Sequence, residues 1–470
     1  GTLVRLAIIE TNSEEKKRLL EEALGHRGEA LRITDQLEPF LYWNRGIMQT
    51  ALAYIKYELA DLGKDHKTKR SMLQEAIQDM EKGLKLCIEA LPLFFRKGAI
   101  VYFWPVGYTQ YMTGVWLIRF YELTHDKEHL RKAAKAFSDA AESSQKLNLK
   151  SRIAECHWKA AQTYDNLGEY LKAAENFDIA SHNYKSAAEK IPQLKDFYHD
   201  HALYMQAWTE IEKARHHHTR QEYGSAKEHF EKAANLHKSL KQWNYLAPNY
   251  SAWAQVEQAE DLSRKEQSEE AIKAFEQAAN LFAETKKSLE AQLGKIESVD
   301  EKQMATNMVK ATDLRHNYCI ARIALEEARI LDKKGDHYYS SEKYGSAAET
   351  FENINQALES EQERKETGFI INLSRAWQKM TLAESESSPA LYSEASQLFE
   401  QAKDLGPNEK LKMLVLGHSR FCRALEAGTR FADTRDTTIH TTAVQHLASA
   451  ANYYVKAGFQ NASEYAKATK

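Results

Sequence analysis

Residues able to do chemistry are easiest to find as clusters, and this sequence offers two of histidine. "ARHHHTR", residues 214 to 220, holds His216, His217 and His218, and "HDH" holds His199 and His201. Imidazoles gathered in this way would suit a transition metal. On a helix, however, consecutive residues point about 100° apart and do not converge on one ion. Core and surface roles therefore account for these histidines, and no metal site is expected. Cys87, Cys156, Cys319 and Cys422 lie far apart and form no CxxC, so neither a zinc framework nor a disulfide framework is legible. HExxH, a phosphate-binding P-loop and GxSxG are all missing. The Glu and Asp pairs sit at salt-bridge spacing on charged helix faces. No nucleophile, base and orienting group can be assembled, so no catalytic residue and no cofactor is assigned, and an enzyme is not expected.

The elements carrying these residues have one dominant character. In 470 residues there are only 7 Pro and 19 Gly, against roughly 23 and 33 at average usage. Apolar residues recur at three- and four-residue spacing, so the chain is expected to be almost wholly α-helical. Its length exceeds what one compact core supports, which favours an extended array. The 64 basic and 67 acidic residues are interleaved, and the net charge is −3. A nucleic-acid partner would need a basic stripe, so none is expected. Cysteine usage suggests a reducing, cytoplasmic setting. The opening "GTLVRLAIIE" is too short and too quickly charged to be a signal peptide.

Three segments, "GEYLKAAENF" (168 to 177), "QEYGSAKEHF" (221 to 230) and "EKYGSAAETF" (342 to 351), share one frame. Its members are Tyr170, Ala173, Phe177 and Ala180; Tyr223, Ala226, Phe230 and Ala233; Tyr344, Ala347, Phe351 and Ile354. This spacing puts the side chains on one helix face. Alanine lets two backbones approach, and Phe fills the gap one turn later. The core recurs at Ala133/Phe137/Ala140, Ala271/Phe275/Ala278 and Ala395/Phe399/Ala402, with weaker copies at Ala76/Met80/Gly83 and Ala443/Leu447/Ala450. A preceding helix supplies a small and a bulky residue: Ala161 with Tyr164, Ala214 with His217, and Gly335 with Tyr338. Each unit is then a helical hairpin that buries its face only by stacking on a neighbour.

On these residues the chain resembles the tetratricopeptide repeat family. "AECHWKAAQTYDNLGEYLKAAENFDIA" carries Ala161, Tyr164, Leu167, Gly168, Tyr170, Ala173, Phe177 and Ala180 at the family's positions, and Pro407 stands where that family has its terminal proline. The core alanines are 40 to 76 residues apart, against roughly 34 in the standard repeat. Helices or loops must therefore be longer, a style that looks like the soluble NSF attachment proteins. The resemblance implies an all-α, right-handed α-solenoid of about eight irregular hairpins. The expected organisation is N-terminal hairpins over 1–113, a repeat core over 114–410 and capping helices over 411–470. The 76-residue interval implies a divergent hairpin between Thr285 and Arg329. "GTRFADTRDTTIHTT", residues 428 to 442, reads as a mobile loop.

In that family the inner faces of first helices line a groove for a peptide or protein. Transferred residue by residue, the partner-binding candidates are Trp158, Gln162 and Asn166; Trp208, Arg215 and His218; Trp253, Glu260 and Arg264; and Asp332, Asp336 and Tyr339. Trp and Arg suit binding hot spots; the competing role for the tryptophans is packing between helices. The family's Lys/Asn carboxylate clamp is not matched, because Trp158 and Gln162 stand in its place.

"GAIVYFWPVGYTQYMTGVWLI", residues 98 to 118, contains no charge. Pro105, Gly107 and Gln110 interrupt it, so core packing is expected ahead of a partner or homodimer face, and a membrane span is not expected. The implied function is a non-catalytic interaction scaffold or adaptor. The alternatives are a membrane-fusion adaptor like the attachment proteins and the ligand-sensing portion of a larger signalling or defence protein.

Overall fold

The amphipathic spacing becomes a succession of helices in the computed structural model, which describes residues 2–35, 42–63, 65–95, 100–294 and 299–458. The chain divides into two units: residues 1–220 with 235–243, and residues 221–234 with 244–470. In the first lie α1 (Thr2–Ile9), α2 (Ser13–Asp35), α3 (Tyr42–Asp61), α4 (His66–Phe95), α5 (Phe103–Thr124), α6 (Lys127–Lys146), α7 (Lys150–Leu167), α8 (Tyr170–Lys190) and α9 (Lys195–Thr219). The division falls inside α10 (Tyr223–Ser239). The second unit continues with α11 (Ala247–Arg264), α12 (Ser268–Leu293), α13 (Val299–Lys333), α14 (His337–Ala357), α15 (Glu361–Glu386), α16 (Pro389–Leu405), α17 (Glu409–Thr434) and α18 (Thr437–Ala457). Among the described residues there is no strand. From α1 to α9 in the first unit, and from α11 to α18 in the second, each helix packs on the next in sequence, as stacked hairpins require. The class is all-α helical repeat.

The turns carry the repeat as clearly as the helices do. From α5 onward each hairpin closes on a residue with positive φ: His125, Gly168, Gln221, Glu266, Gly335, Ser387 and Arg435. This left-handed residue ends a helix by turning the chain away from it. His125, Ser387 and Arg435 return their own N–H to Tyr121, Ala383 and Phe431. Side-chain caps then restart the chain: Asp126 accepts from the Glu128 N–H, Ser360 from Glu363, Asn408 from Leu411 and Asp436 from Thr438. Among the described residues, α3 with α4 and the turns inside either unit define seven helix pairs: α3/α4, α5/α6 and α7/α8 in the first, and α11/α12, α13/α14, α15/α16 and α17/α18 in the second.

The predicted faces are where the cores lie. Ala133, Ala173, Ala226, Ala271, Ala347 and Ala395 are completely buried, and so, within a few percent, are Phe137, Phe177, Phe230, Phe275, Phe351 and Phe399. Two expectations fail. No extra hairpin lies between Thr285 and Arg329: α12 runs on to Leu293 and α13 spans 35 residues, so the long interval is one hairpin with lengthened arms. Residues 428 to 442 are not a loop either. α17 continues to Thr434 and α18 starts at Thr437, because Asp436 caps the new helix and the threonine hydroxyls bond carbonyls one turn back.

The uncharged stretch is helical from Phe103, with Gly98 and Ala99 outside the described residues. Val106, Trp116 and Leu117 enter the core, where Trp116 stacks on Tyr57 at 4.4 Å. Trp104 and Tyr108 stay about half exposed. Among the described residues no helix is long and apolar enough to cross a membrane.

Candidate functional site

The three tryptophans are half-buried among neighbouring rings. Trp158 on α7 meets His201 and Tyr204 of α9 edge-on at 6.1 and 6.4 Å, and the Lys159 ammonium lies 5.9 Å from its ring centre. Trp208 on α9 stacks on Phe177 of α8 at 5.7 Å. In the second unit, Trp253 on α11 stacks on Phe230 at 5.9 Å, and the Arg315 guanidinium lies 5.2 Å from its ring. Their main work is thus joining helices, with part of each ring left accessible. Gln162 accepts from Lys159 at 3.2 Å, whereas Asn166, His218 and Arg264 are exposed. Arg264 donates to the Gln221 carbonyl at 3.2 Å.

The fourth set is displaced. Gly335 is the turn itself, and Asp332 and Asp336 flank it. Tyr339 projects from the first turn of α14, 62% exposed, on the second helix of its pair. The cause is seven extra residues between this turn and Tyr344, compared with the unit in which Gly168 precedes Tyr170. Tyr338 shares that exposed turn, and the small first-helix residue is Ala328, fully buried.

Arg215 and Glu260 stand in a pattern that the sequence reading missed. Glu212, Glu257 and Glu326 each occur nine residues before the left-handed residue closing their hairpin, and each is wholly buried. Aligning the first helices on their turns, rather than on the downstream Tyr–Ala–Phe frame, would have put them in register. A carboxylate at such a depth is costly unless paired. Glu326 receives the Ser263 and Ser268 hydroxyls at 2.6 and 2.7 Å and the Arg329 guanidinium at 2.7 Å. Burial pushes its pKa up, but the Arg329 charge and the two hydroxyls together outweigh this and hold it below the usual value. Beside it, Arg322 pairs with Glu260, donates to Tyr318 and Ser263 at 3.1 Å each, and lies 5.0 Å from the Phe275 ring centre. Tyr318 donates to Glu260 at 2.8 Å. The charges are matched internally, although the buried Arg322 Nε finds no hydrogen-bond partner among the described residues, so this is a structural network binding α11, α12 and α13 rather than an acid–base pair.

Glu212 is less well served. Arg215 reaches its Oε1 at 3.1 Å but is shared with Asp165, and Oε2 has no hydrogen-bond partner among the described residues. Burial pushes its pKa up to about 7, with Arg215 opposing and Asp165 adding to the rise. The folded state therefore keeps the proton over a range where the unfolded chain has lost it. Stability falls as pH rises from about 4.5 to about 7 and stays reduced above that. Glu212→Gln is expected to gain about 1–3 kcal/mol over the parent at pH 8 and almost nothing at pH 4.5, measured by urea unfolding at both values. An equal effect at the two pH values would contradict the assignment.

The histidine run ends α9, with the His216 and His217 rings 5.6 Å apart. Among the described residues no group of three His, Cys, Asp or Glu side chains could hold a metal. All four cysteines are buried free thiols; burial pushes Cys87 up to about 11 and Cys156, Cys319 and Cys422 up to about 12, the opposite of activation.

No protein-family model matches the chain, and neither does any curated protein. Among solved structures, one described as "Circular tandem repeat protein with novel repeat topology and enhanced subunit contact surfaces" aligns with 100% of this chain and 93% of its own. The identity is 13% and the TM-score 0.19.

Proposed function

We propose that this chain is a lengthened tetratricopeptide-like array that acts as a non-catalytic interaction scaffold, each unit offering a first-helix face to a partner protein or peptide. The supporting observation is the division of labour on those faces within each unit. Trp158, Trp208 and Trp253 are fixed by ring contacts on one side, while Asn166, His218 and Arg264 at the same helices' ends remain exposed. Anchors that are immobilised before binding lose little entropy when a partner arrives. Surrounding polar groups then set which partner fits.

The test is crosslinking co-purification from the native host with quantitative mass spectrometry, comparing the parent with an Asn166→Asp, His218→Asp, Arg264→Glu variant. These exposed positions can change without opening the core. Specific proteins held by the parent and reduced at least tenfold by the variant are expected. If the same proteins remain, or none is held, the first-helix face is not the binding surface.

A further inference from the structure

In the second unit, α17 and α18 meet along a seam that carries two histidines, one from each helix. His418 of α17 sits among rings: its centre lies 4.9 Å from that of Trp377 on α15, 5.3 Å from Phe399 on α16 and 5.3 Å from Tyr454 on α18. The Tyr454 hydroxyl hydrogen-bonds its Nδ1 at 2.9 Å. Gly417 makes this seat possible, because a Cβ there would come within 2.5 Å of the Tyr454 ring. Tyr454, 1% exposed, is thus the side chain by which α18 is plugged into the hairpins before it. His418 itself keeps some exposure, which gives protons a route to it.

Both histidines resist protonation while the seam is closed. Burial alone pushes the pKa of His418 down to about 4. Among the elements packed on it, α18 supplies one titratable ring, Tyr454. The charged residues within two positions of the four rings are engaged elsewhere: Arg375 with Glu352 at 3.1 Å, Lys379 with Glu394 at 2.8 Å, and Glu400 with Ser419 at 3.1 Å and Arg420 at 3.9 Å, while the Lys456 ammonium lies 5.8 Å from the Tyr453 ring centre. His446 of α18 is half-buried. Burial pushes its pKa down, the Arg420 and Arg423 charges of α17 push the same way, and Glu426 of α17 opposes them.

We propose that this seam is an acid-released latch: when protons reach His418 and His446, α18 lifts off α17 while the preceding hairpins of the second unit stay folded. A charged His418 inside the ring cluster is deprived of water, and a charged His446 stands against two guanidiniums. One movement relieves both, so the open form is the one that binds the protons. Closure is therefore complete above the ordinary histidine value of about 6.5 and weakens as pH falls toward the lowered values of the closed form. Between pH 7 and pH 5, His418 alone favours opening by roughly tenfold or more. The start of α18 is not what fails in this window, since Thr438 holds the Asp436 carboxyl below its usual range and the cap stays charged.

Hydrogen exchange of the full chain, read by mass spectrometry at pH 7 and pH 5 and corrected for the intrinsic pH dependence of exchange, tests the latch. Peptides of α18 are expected to lose protection at least tenfold at pH 5, while peptides of α12, α13 and α14 change less than threefold. In a His418→Asn/His446→Gln variant the α18 ratio between the two pH values should fall below threefold, whatever its starting protection. A ratio under threefold in the parent, or one shared by every helix of the unit, overturns the latch. A double variant that keeps the parent's ratio hands the pH dependence to other groups and overturns the histidine seam. If His418→Asn leaves α18 open at both pH values, His446→Gln alone decides: a smaller ratio supports the two-sided seam, and a ratio equal to the parent's overturns it.

Discussion

Replacing Arg322 by alanine is expected to cost about 3–5 kcal/mol of stability in the second unit, the range for breaking a buried ion pair from one side. Its guanidinium is the hub of the cluster, reaching Glu260, Tyr318 and Ser263 and lying 3.8 Å from Glu326. Removing it leaves the Glu260 carboxylate, barely exposed, with only the Tyr318 hydroxyl from the network. Glu326 keeps Arg329 and both serines, so damage should concentrate on the contact between α11 and α13. The decisive comparison is Arg322→Met with Glu260→Leu: the double replacement removes both charges and should cost far less than Arg322→Ala alone. Arg322→Lys should also be poor, because an ammonium cannot serve three acceptors in the guanidinium's plane. Urea unfolding followed by circular dichroism, with hydrogen exchange of the α11 to α13 peptides, reports this unit. A loss below about 1 kcal/mol for Arg322→Ala would show that the network contributes little.

That network also marks where sequence reading stops. Alanine and phenylalanine at fixed spacing announce a buried face by themselves, since few surfaces need small and aromatic residues in that order; every such Phe on the strong frames is buried. Glu212, Glu257 and Glu326 look like any other acid in a chain with 67 acidic residues. Their burial follows from which side of the helix faces its neighbours, and that follows from the turn. Glycine takes positive φ readily, as at Gly168, but Gln221 and Glu266 have no intrinsic preference for it and are held there by the turns they close. The same gap misplaced Tyr339. With Gly335 taken for a helix residue, the whole first-helix face of that pair slid by two turns. The 428 to 442 stretch failed for another reason: its threonines and Asp436 are polar because they cap and back-bond a helix end, and polarity alone was read as loop.

Close approach of α3 and α4 sets up the second large effect. A Cβ on Gly46 would lie 2.8 Å from the Gly83 carbonyl oxygen and 2.5 Å from Cys87 Sγ; one on Gly83 would lie 2.8 Å from the Gly46 carbonyl oxygen and from the Thr50 nitrogen. Both obstacles include backbone, which cannot rotate aside as a side chain can. Gly83→Val should therefore force the helices apart and cost about 3 kcal/mol or more, and Gly83→Ala about 1–3 kcal/mol. Gly345→Ala makes an instructive contrast. Its nearest obstacle is the Gln378 side-chain amide, whose flexible end can swing away, so the change should fall within about 1 kcal/mol of neutral. Gly25→Ala within α2 meets nothing within 4 Å and should stabilise by about 0.5–1 kcal/mol through helix propensity. Thermal unfolding of the four variants orders them Gly25→Ala, Gly345→Ala, Gly83→Ala and Gly83→Val from most to least stable. If Gly83→Ala ranked with Gly345→Ala, the two helices would not be in backbone contact, and the N-terminal pair would owe its packing to the surrounding Trp43, Ile47 and Leu84 side chains instead.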